Sequence, residues 1–167
     1  MVRQYTDPMT QPLLTLPDET ATCALGVRAA AALPAIEQPF VVELRGELGA
    51  GKTTFARALL HALGVTGRVR SPSYALLECY TAGAWQALHL DLYRLSSAEE
   101  LEMLGLRDYH QGRTLWLVEW PEKGRGYLPA ADAVLHFEVG ADGHRVGLAA
   151  GSPAGSQWIG NLMPDLE

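Results

Sequence analysis

A glycine-rich segment from Gly46 to Thr53 limits what this chain can fold into more than any other feature. The segment, GELGAGKT, matches the pattern G-x-x-x-x-G-K-[ST], with Gly46, Gly51, Lys52 and Thr53 at its fixed positions. The glycines allow a tight turn whose backbone amides can point inward toward phosphate groups. Because the chain contains only two lysines, a chance match that includes Lys52 is a poor explanation for the pattern.

The residues on either side of this segment have the patterns of a strand and of a helix. Residues 40–44, FVVEL, form a short apolar run typical of a buried strand. Phe55, Leu59 and Leu63 then recur at helical spacing, and Gly64 follows where glycine commonly ends a helix. Strand, glycine turn and helix in this order predict a phosphate-binding loop, because the positive end of the helix dipole also attracts anions.

This loop predicts ATP and Mg²⁺ as cofactors. We expect Lys52 to reach the β- and γ-phosphates and the Thr53 hydroxyl to occupy one coordination position on the metal. The alternative interpretation is a glycine-rich turn that carries a solvated lysine. We prefer the phosphate-binding loop because the flanking strand and helix both match it.

Length and composition favour one domain. A chain of 167 residues with 48% hydrophobic content can bury one core but is short for two. We assign residues 1–150 to a single P-loop ATPase domain, in which residues 1–14 are expected to be loosely ordered. Residues 151–167 are interpreted as a weakly patterned C-terminal tail, in which Trp158 and Ile159 are candidates to dock. The net charge of −6 argues against nucleic acid as a directly bound partner, since phosphate backbones are bound mainly by clustered positive charge.

The sequence indicates a cytoplasmic protein. Prolines and polar residues interrupt residues 1–19, where a signal peptide would have a continuous apolar segment. No stretch approaches the roughly 18 apolar residues of a membrane span. Cys23 and Cys79 have no metal-binding spacing and are expected to be reduced thiols.

The rest of the chain alternates helical and strand patterns. A helix is expected within residues 15–34, ended by Pro34. Further elements are an antiparallel hairpin, a helix opened by a capping box, a buried strand and a second hairpin, at residues 75–91, 97–105, 114–118 and 132–150. With the central strand, they predict an α/β fold of the P-loop NTPase type, in which a mixed parallel and antiparallel sheet is flanked by helices.

Two acidic residues complete the candidate site. Asp91 and Glu119 each end an apolar strand, and the carboxyl ends of strands border the ligand crevice of α/β folds. Either residue could be a solvated loop acid, and the sequence does not decide which of them touches Mg²⁺. We favour Glu119 as the metal-side acid and Asp91 as the organiser of the attacking water or of the metal's outer ligands. The expected catalytic residues are therefore Lys52, Asp91 and Glu119.

Four other polar residues are weaker candidates. Arg94 and the pair Arg68 and Arg70 could stabilise negative charge, although a surface role fits each of them equally well. His89 lies on the same face of its strand as Asp91. We interpret it as a packed or hydrogen-bonded histidine rather than as a proton carrier.

Five motifs, in the same order along the chain, resemble those of one family. They are GELGAGKTTFARALL, SPSY at 71–74, HLDLYRL at 89–95, EELEMLGLRDY at 99–109 and VEWPEKG at 118–124. The chain is similar over residues 16–150 to the bacterial tRNA threonylcarbamoyladenosine biosynthesis ATPases called TsaE, formerly YjeE. One departure is Ser73, where the family usually has threonine, and there the hydroxyl is retained.

The resemblance implies a Mg²⁺-dependent P-loop ATPase that converts ATP and water to ADP and phosphate. In the family, the TsaB–TsaD complex transfers threonylcarbamoyl to the tRNA adenosine next to the anticodon, and the ATPase supports repeated rounds. The implied partner is therefore the TsaB–TsaD complex, with tRNA contacted only indirectly through it and no membrane involved. The acidic net charge is consistent with this arrangement.

The resemblance also implies site residues. Mg²⁺ would be bound at Thr53 and Glu119. Asp91 and Trp120 would belong to the functional surface, and residues 71–74 would act as a switch-like loop near the γ-phosphate and the partner. The implied nucleotide contacts are Glu19, Leu48, Gly49, Ala50, Gly51, Lys52, Thr53, Thr54, Glu122, Gly143, His144, Arg145, Val146 and Gly147.

Two other functions fit a short P-loop chain. A small-molecule kinase would need an arginine-rich lid and an acceptor pocket, whereas the arginines here are scattered. A nucleotide-gated binding module with negligible turnover is the second alternative, although no N-K-x-D guanine signature occurs. The residues themselves leave both alternatives open.

Overall fold

The computed structural model describes residues 13–163, which form a seven-stranded mixed sheet flanked by helices. The strands are β1 (Leu13–Leu16), β2 (Phe40–Gly46), β3 (Leu77–Ala82), β4 (Trp85–Asp91), β5 (Thr114–Glu119), β6 (Ala133–Gly140) and β7 (Gly143–Ala150). The α-helices are α1 (Glu19–Ala31), α2 (Lys52–Ala62), α3 (Leu106–Tyr109) and α4 (Pro153–Leu162), and two 3₁₀ helices span Ala98–Leu104 and Pro121–Gly124. No helix in this part of the chain is long and apolar enough to cross a membrane. The predicted fold class is confirmed.

The strand that precedes the glycine-rich segment lies in the middle of the sheet. The strand order is β1-β7-β6-β2-β5-β4-β3, and β2 pairs in parallel with both β5 and β6. β4 also runs parallel to β5, whereas β3 is antiparallel to β4, and β7 is antiparallel to β6 and β1. The carboxyl ends of β2, β4 and β5 therefore meet at the same end of the sheet, beside the start of α2.

Buried side chains form an apolar cluster on each face of the sheet. The larger cluster includes Phe55 of α2 and Trp158 of α4. The smaller cluster contains Leu88, Trp116 and Leu101, the last of which comes from the first 3₁₀ helix. All six residues of β5 are buried. A strand packed on both faces explains why its apolar run is continuous, as the sequence predicts.

The predicted elements around the central strand are largely confirmed. Asp18 caps α1, since its Oδ1 accepts a hydrogen bond from the amide of Ala21 at 2.8 Å, and the helix ends before Pro34. Both hairpins form, with β3 antiparallel to β4 and β6 antiparallel to β7. The capping box at Ser97 is present, but the helix that follows it is 3₁₀ and gives way to the short α3 after Gly105.

The weakly patterned tail expected at residues 151–167 is instead a helix, α4, over Pro153–Leu162. Trp158 is fully buried in it, so its expected docking is confirmed. The indole Nε1 donates to the carbonyl of Ala29 at 2.9 Å, and the ring packs edge-on against Phe40 at 5.5 Å. Leu162 of the same helix is also fully buried, and Ile159 packs against the larger cluster. The sequence pattern is weak because glycines and polar residues separate these apolar residues.

The expectation of loose order for residues 1–14 falls mostly on residues 1–12, which lie outside the described chain. Leu13 and Leu14 belong to β1, which pairs with β7 from Leu13 opposite Gly147. A strand of four residues that is followed at once by Pro17 has too little periodicity to be recognised from sequence.

Candidate functional site

Two glycines allow the sharp turn between β2 and α2. Gly46, at the end of β2, has φ 132°, and a Cβ there would lie 2.2 Å from the carbonyl oxygen of Phe137. Gly51 precedes α2 with φ 107°, in the left-handed region that other residues rarely adopt. A side chain at either position would therefore strain the turn or push it away from β6.

The turn presents backbone amides at the start of α2. The first amides of an α-helix have no carbonyl partner within the helix. Among the backbone hydrogen bonds of residues 13–163, none is donated by the amides of Gly51, Lys52 or Thr53. Together with the positive end of the helix dipole, such amides attract an anion. The turn thus has the backbone geometry that phosphate binding requires.

Lys52 places a buried ammonium in this turn. Only 4% of the residue is exposed, and Nζ donates to the carbonyl oxygens of Gly46 at 2.6 Å and Glu47 at 2.7 Å. The ring of Trp120 lies over the ammonium, with its centroid 4.6 Å from Nζ. Trp120 directly follows Glu119 and has a left-handed backbone, with φ 57° and ψ 47°. This conformation is unusual for a residue other than glycine and marks the site as a locally strained one.

The protonation of Lys52 depends on burial and on nearby acids. Burial lowers the pKa of Lys52 from the ordinary lysine value of 10.5. The carboxylates of Glu119 and Asp91 oppose this shift, because they favour the charged form. Glu122 and Glu47 add smaller contributions in the same direction. Further negative charge in the cleft would raise the pKa again, so a bound anion and the protonated lysine would stabilise each other.

Glu119 connects the turn to the interior of the sheet. It ends β5, is 2% exposed, and its Oε1 accepts a hydrogen bond from the Thr53 hydroxyl at 2.8 Å. Its Oε2 lies 2.6 Å from Nε2 of His89, which is fully buried. The expectation of a hydrogen-bonded His89 is confirmed. The Thr53 hydroxyl and the Glu119 carboxylate supply the hard oxygen atoms that Mg²⁺ prefers.

Asp91 lies beside Glu119 because β4 and β5 are parallel neighbours in which the two residues are directly opposite each other. Asp91 is 5% exposed. Its Oδ1 accepts a hydrogen bond from the amide of Tyr93 at 3.0 Å, and its Oδ2 accepts one from the Ser71 hydroxyl. The fold therefore brings together the two acids that the sequence singles out, with Glu119 in contact with Thr53 and Asp91 in contact with the loop before β3.

A cavity of about 770 Å³ joins these groups, and most of the predicted nucleotide contacts line it. Most of its lining belongs to two sides. The loop side contains Leu48, Gly49, Gly51, Lys52, Thr53, Thr54, Asp91 and Glu119. The hairpin side, formed by the start of α1 and the turn between β6 and β7, contains Leu16, Pro17, Asp18, Glu19, Thr22, Gly143 and His144.

Close packing between distant segments forms the hairpin side. Gly143 has φ 113°, and a Cβ there would lie 2.7 Å from Cα of Pro17, so the β6–β7 turn packs directly against the residues before α1. A Cβ on Gly51 would lie 3.4 Å from Thr22 and 3.5 Å from His144. The hairpin side and the loop side therefore border one continuous space.

The remaining predicted nucleotide contacts do not line this cavity. They are Ala50, Glu122, Arg145, Val146 and Gly147. Ala50 and Val146 are fully buried in the larger apolar cluster. The Arg145 guanidinium lies 3.9 Å from Glu138, and Gly147 pairs with Leu13 in the sheet. Nucleotide contacts by these five residues stay predictions.

Several residues that line the cavity were not predicted from the sequence. They are Leu16, Pro17, Asp18, Thr22 and Tyr93. Thr22 carries a signal in the sequence, because it stands at helical spacing from Leu25. The structure places it on the buried face of α1, with 2% of the residue exposed. Leu16, Pro17 and Asp18 carry no comparable signal, since their position depends on the packing of the start of α1 against the β6–β7 turn. Tyr93 lies just beyond β4, where its amide donates to Asp91.

The structure separates the three candidate arginines. Arg94 lines the cavity, and its guanidinium lies 4.2 Å from the ring centroid of Tyr74. Arg68 and Arg70 are exposed and are not part of the cavity lining. The SPSY segment contributes Ser73 to the lining, while Tyr74 is 83% exposed. Of the three arginines, Arg94 is therefore the one placed to act on a ligand in the cavity.

Comparisons with known sequences point to one family. Residues 16–146 match the family model described as "Threonylcarbamoyl adenosine biosynthesis protein TsaE". The tRNA threonylcarbamoyladenosine biosynthesis protein TsaE of Haemophilus influenzae is 40% identical over 146 residues, which cover 86% of this chain and 92% of that protein. The TsaE protein of Bacillus subtilis is 39% identical over 105 residues, which cover 63% of this chain and 65% of that protein.

A comparison of structures agrees with the sequence match. The crystal structure of Bacillus subtilis YdiB has a TM-score of 0.76 to this chain, with 26% sequence identity, and the match covers 93% of this chain and 95% of YdiB. The region matched by the family model contains the glycine-rich turn, Asp91 and Glu119. The chain therefore belongs to the TsaE family.

Proposed function

We propose that this chain is a Mg²⁺-dependent P-loop ATPase that supports the threonylcarbamoyl modification of the tRNA adenosine next to the anticodon. It would act in the cytoplasm with the TsaB–TsaD complex and convert ATP and water to ADP and phosphate. The descriptions of the family and of its relatives support the assignment to threonylcarbamoyladenosine biosynthesis. The observation that carries the ATPase proposal is the convergence of four side chains in one cavity, those of Lys52, Thr53, Asp91 and Glu119.

The oxygen atoms of Thr53 and Glu119 fit Mg²⁺. Oγ1 of Thr53 and Oε1 of Glu119 lie 2.8 Å apart on the loop side, and hydroxyl and carboxylate oxygens suit this metal. A small number of protein ligands is typical of Mg²⁺, which keeps several waters and binds substrate phosphates. When bound, the metal would neutralise charge that develops on the β- and γ-phosphates.

Lys52 is proposed to exchange its present partners for phosphate oxygens. Its Nζ donates to the carbonyl oxygens of Gly46 and Glu47, at 2.6 and 2.7 Å, and these hydrogen bonds hold the ammonium in the turn. Hydrogen bonds between two charged groups are stronger than those to a neutral carbonyl. A triphosphate would therefore displace the two carbonyls and favour the protonated form of Lys52.

The hairpin side is proposed to hold the nucleoside. Apolar Leu16 and Pro17 line it beside polar Glu19, Thr22 and His144. Apolar surface beside polar groups suits a flat heterocycle, because the apolar surface can cover the ring while the polar groups, which here also include Asp18, fix its orientation. The start of α1 and the β6–β7 turn would then select the base, while the glycine-rich turn holds the phosphates.

Asp91 is proposed to organise the attacking water. Its two carboxylate oxygens accept hydrogen bonds from Tyr93 and Ser71, so its orientation is fixed on both sides. Ser71 belongs to the SPSY segment, and a movement of this segment would release Oδ2 for a water molecule. Positioning of the nucleophile contributes much of the catalysis of phosphoryl transfer.

The partners are proposed to hold tRNA in place of this chain. With a net charge of −6, the chain has no excess of positive charge to neutralise a phosphate backbone. The measurement is the affinity of the isolated chain for bare tRNA at physiological salt. An affinity comparable to that of the whole complex would contradict the indirect contact.

The central test is ATP hydrolysis by the purified chain, alone and with the TsaB–TsaD complex, in the presence and absence of Mg²⁺. We expect Mg²⁺-dependent release of phosphate that increases when the complex is added. Transfer of phosphate to a metabolite would indicate a kinase, and nucleotide binding without turnover in both conditions would indicate a nucleotide-gated binding module. A well-folded chain that binds no adenine nucleotide in either condition would contradict the whole proposal.

A further inference from the structure

A buried histidine lies behind the acid that faces the glycine-rich turn. His89 is fully buried in β4, and its Nε2 lies 2.6 Å from Oε2 of Glu119. In the tautomer that carries its proton on Nε2, the imidazole donates this hydrogen bond to the carboxylate. The other oxygen, Oε1, accepts a hydrogen bond from the Thr53 hydroxyl at 2.8 Å. The contacts from His89 through Glu119 to Thr53 thus run from the interior of the sheet to the turn.

The register of the sheet determines this arrangement. β4 lies between β3 and β5, with His89 opposite Leu117 and Asp91 opposite Glu119. His89 and Asp91 are two residues apart and share one face of the strand. His89 therefore lies two residues farther from the carboxyl end of β4 than Asp91 does. Its strand is hydrogen-bonded to a neighbouring strand on both sides.

The second ring nitrogen of His89, Nδ1, indicates that apolar packing alone does not explain why a histidine occupies this position. Nδ1 is buried and has no hydrogen-bond partner within the described chain. An unpaired buried polar atom costs stability, and an apolar side chain of similar size would avoid that cost. The hydrogen bond that the ring does make within residues 13–163 is to Glu119. The polar chemistry of this histidine is thus directed at the carboxylate.

We propose that His89 is a positioning residue for Glu119. By holding Oε2, it aims Oε1 at the Thr53 hydroxyl. Glu119, oriented in this way, would be one of the two residues that hold the Mg²⁺ of the proposed function. The metal part of this inference rests on the proposed function, whereas the orientation of the carboxylate does not. Without the histidine, the Glu119 side chain would sample several orientations, and a higher Mg²⁺ concentration would be needed to bind the metal.

Three variants separate positioning from a general loss of stability. His89→Leu removes the donor and keeps an apolar side chain in the interior. His89→Gln retains an N–H donor near the position of Nε2. Leu88→Ala is the matched control, because Leu88 is 1% exposed on the same strand but belongs to the cluster on the opposite face. It should lower stability without altering Glu119.

The first readout is the Mg²⁺ concentration that half-maximally tightens ADP binding, measured by calorimetry. We expect His89→Leu to raise this Mg²⁺ concentration by about 10-fold or more, which is typical when a residue that orients a metal ligand is removed. His89→Gln should keep the concentration within about threefold of that of the unmodified protein. Leu88→Ala should leave it unchanged. The second readout is the crystal structure of nucleotide-free His89→Leu, in which the Thr53–Glu119 hydrogen bond should be lost.

The proposal is overturned if His89→Leu keeps both the normal Mg²⁺ dependence and the Thr53–Glu119 contact, or if Leu88→Ala has an equal effect. It is also overturned if His89→Gln binds Mg²⁺ as weakly as His89→Leu. If the unmodified protein binds no ADP, the proposed function fails. The crystal structure of the nucleotide-free variant then still decides whether His89 orients Glu119.

Discussion

The two sides of the cavity are built in different ways. The loop side comes largely from one continuous stretch, the glycine-rich turn and the first residues of α2, to which two strand ends add acids. The hairpin side joins residues 16–22 to Gly143 and His144, near opposite ends of the chain. Local backbone chemistry thus forms the loop side, and tertiary packing forms the hairpin side. Changes to the loop side should affect every phosphate ligand alike, whereas changes to the hairpin side should affect the nucleoside only.

The largest expected effect is that of Lys52→Ala. Removing the buried ammonium should weaken binding of both ATP and inorganic tripolyphosphate by about 1,000-fold, because the phosphate charge loses its partner. Equilibrium binding of the two ligands is the measurement. Lys123→Ala is the matched control, since Lys123 is the other lysine of the chain and its ammonium donates to the carbonyl of Tyr93. Normal affinity for tripolyphosphate in Lys52→Ala would refute the assignment of the loop side to phosphates.

The next largest effect is expected for Asp91→Asn, which keeps the volume of the side chain and removes its charge. ATP hydrolysis should fall by about 100-fold, because the attacking water is no longer organised, while ATP affinity changes little. Binding and single-turnover rates, measured on the same preparation, separate the two quantities. An equal loss of both would assign Asp91 a structural role through its hydrogen bonds to Ser71 and Tyr93.

A smaller and more selective effect is expected for Gly143→Ala on the hairpin side. The added Cβ would lie 2.7 Å from Cα of Pro17, at a φ of 113° that alanine disfavours. The resulting shift should weaken ATP binding by about 10-fold, in line with a strain of about 1–3 kcal/mol. Tripolyphosphate binding should stay unchanged, because the glycine-rich turn is untouched.

Gly126→Ala is the control for backbone strain alone. Gly126 has φ 90°, but no atom lies within 4 Å of the position that its Cβ would take. This variant should lose stability without losing ATP affinity. If Gly143→Ala weakens tripolyphosphate as much as ATP, the distinction between the two sides is wrong.

The smallest effect concerns the charge of Lys52 in the nucleotide-free protein. Burial lowers its pKa from 10.5, so between the lowered value and 10.5 the unfolded chain binds more protons than the folded chain. Stability should therefore rise with pH across this window relative to a Lys52→Met variant, by at most about 1.4 kcal/mol per pH unit. Denaturant unfolding of both proteins at several pH values measures the difference. A difference that falls with rising pH would contradict a buried, destabilised ammonium.

The loop side could be predicted from sequence because its geometry is encoded locally. Gly46 and Gly51 adopt φ values that glycine alone tolerates well, and they stand next to Lys52 and Thr53 in the chain. The hairpin side could not be derived in this way. No local pattern near Pro17 shows that Gly143 will pack against it, and the resemblance to a family suggested this region only through individual residues.

The two acids illustrate an intermediate case. Their positions at strand ends were readable from the apolar runs before them, and the parallel pairing of β4 and β5 places them opposite each other. Which acid contacts Thr53 depends on strand order, and β5 rather than β4 is the neighbour of β2. That order is a property of the whole sheet, so the sequence left open the choice between Asp91 and Glu119.

The buried Trp158 links the C-terminal helix α4 to two elements that border the cavity. Its indole is hydrogen-bonded to Ala29 near the end of α1 and packs on Phe40 at the start of β2. The opposite end of α1 frames the hairpin side, and the opposite end of β2 leads into the glycine-rich turn. Trp158 therefore stabilises both elements at the ends that lie away from the cavity. Truncation of the chain before Trp158 would weaken ligand binding in the cavity as well as lower the thermal stability.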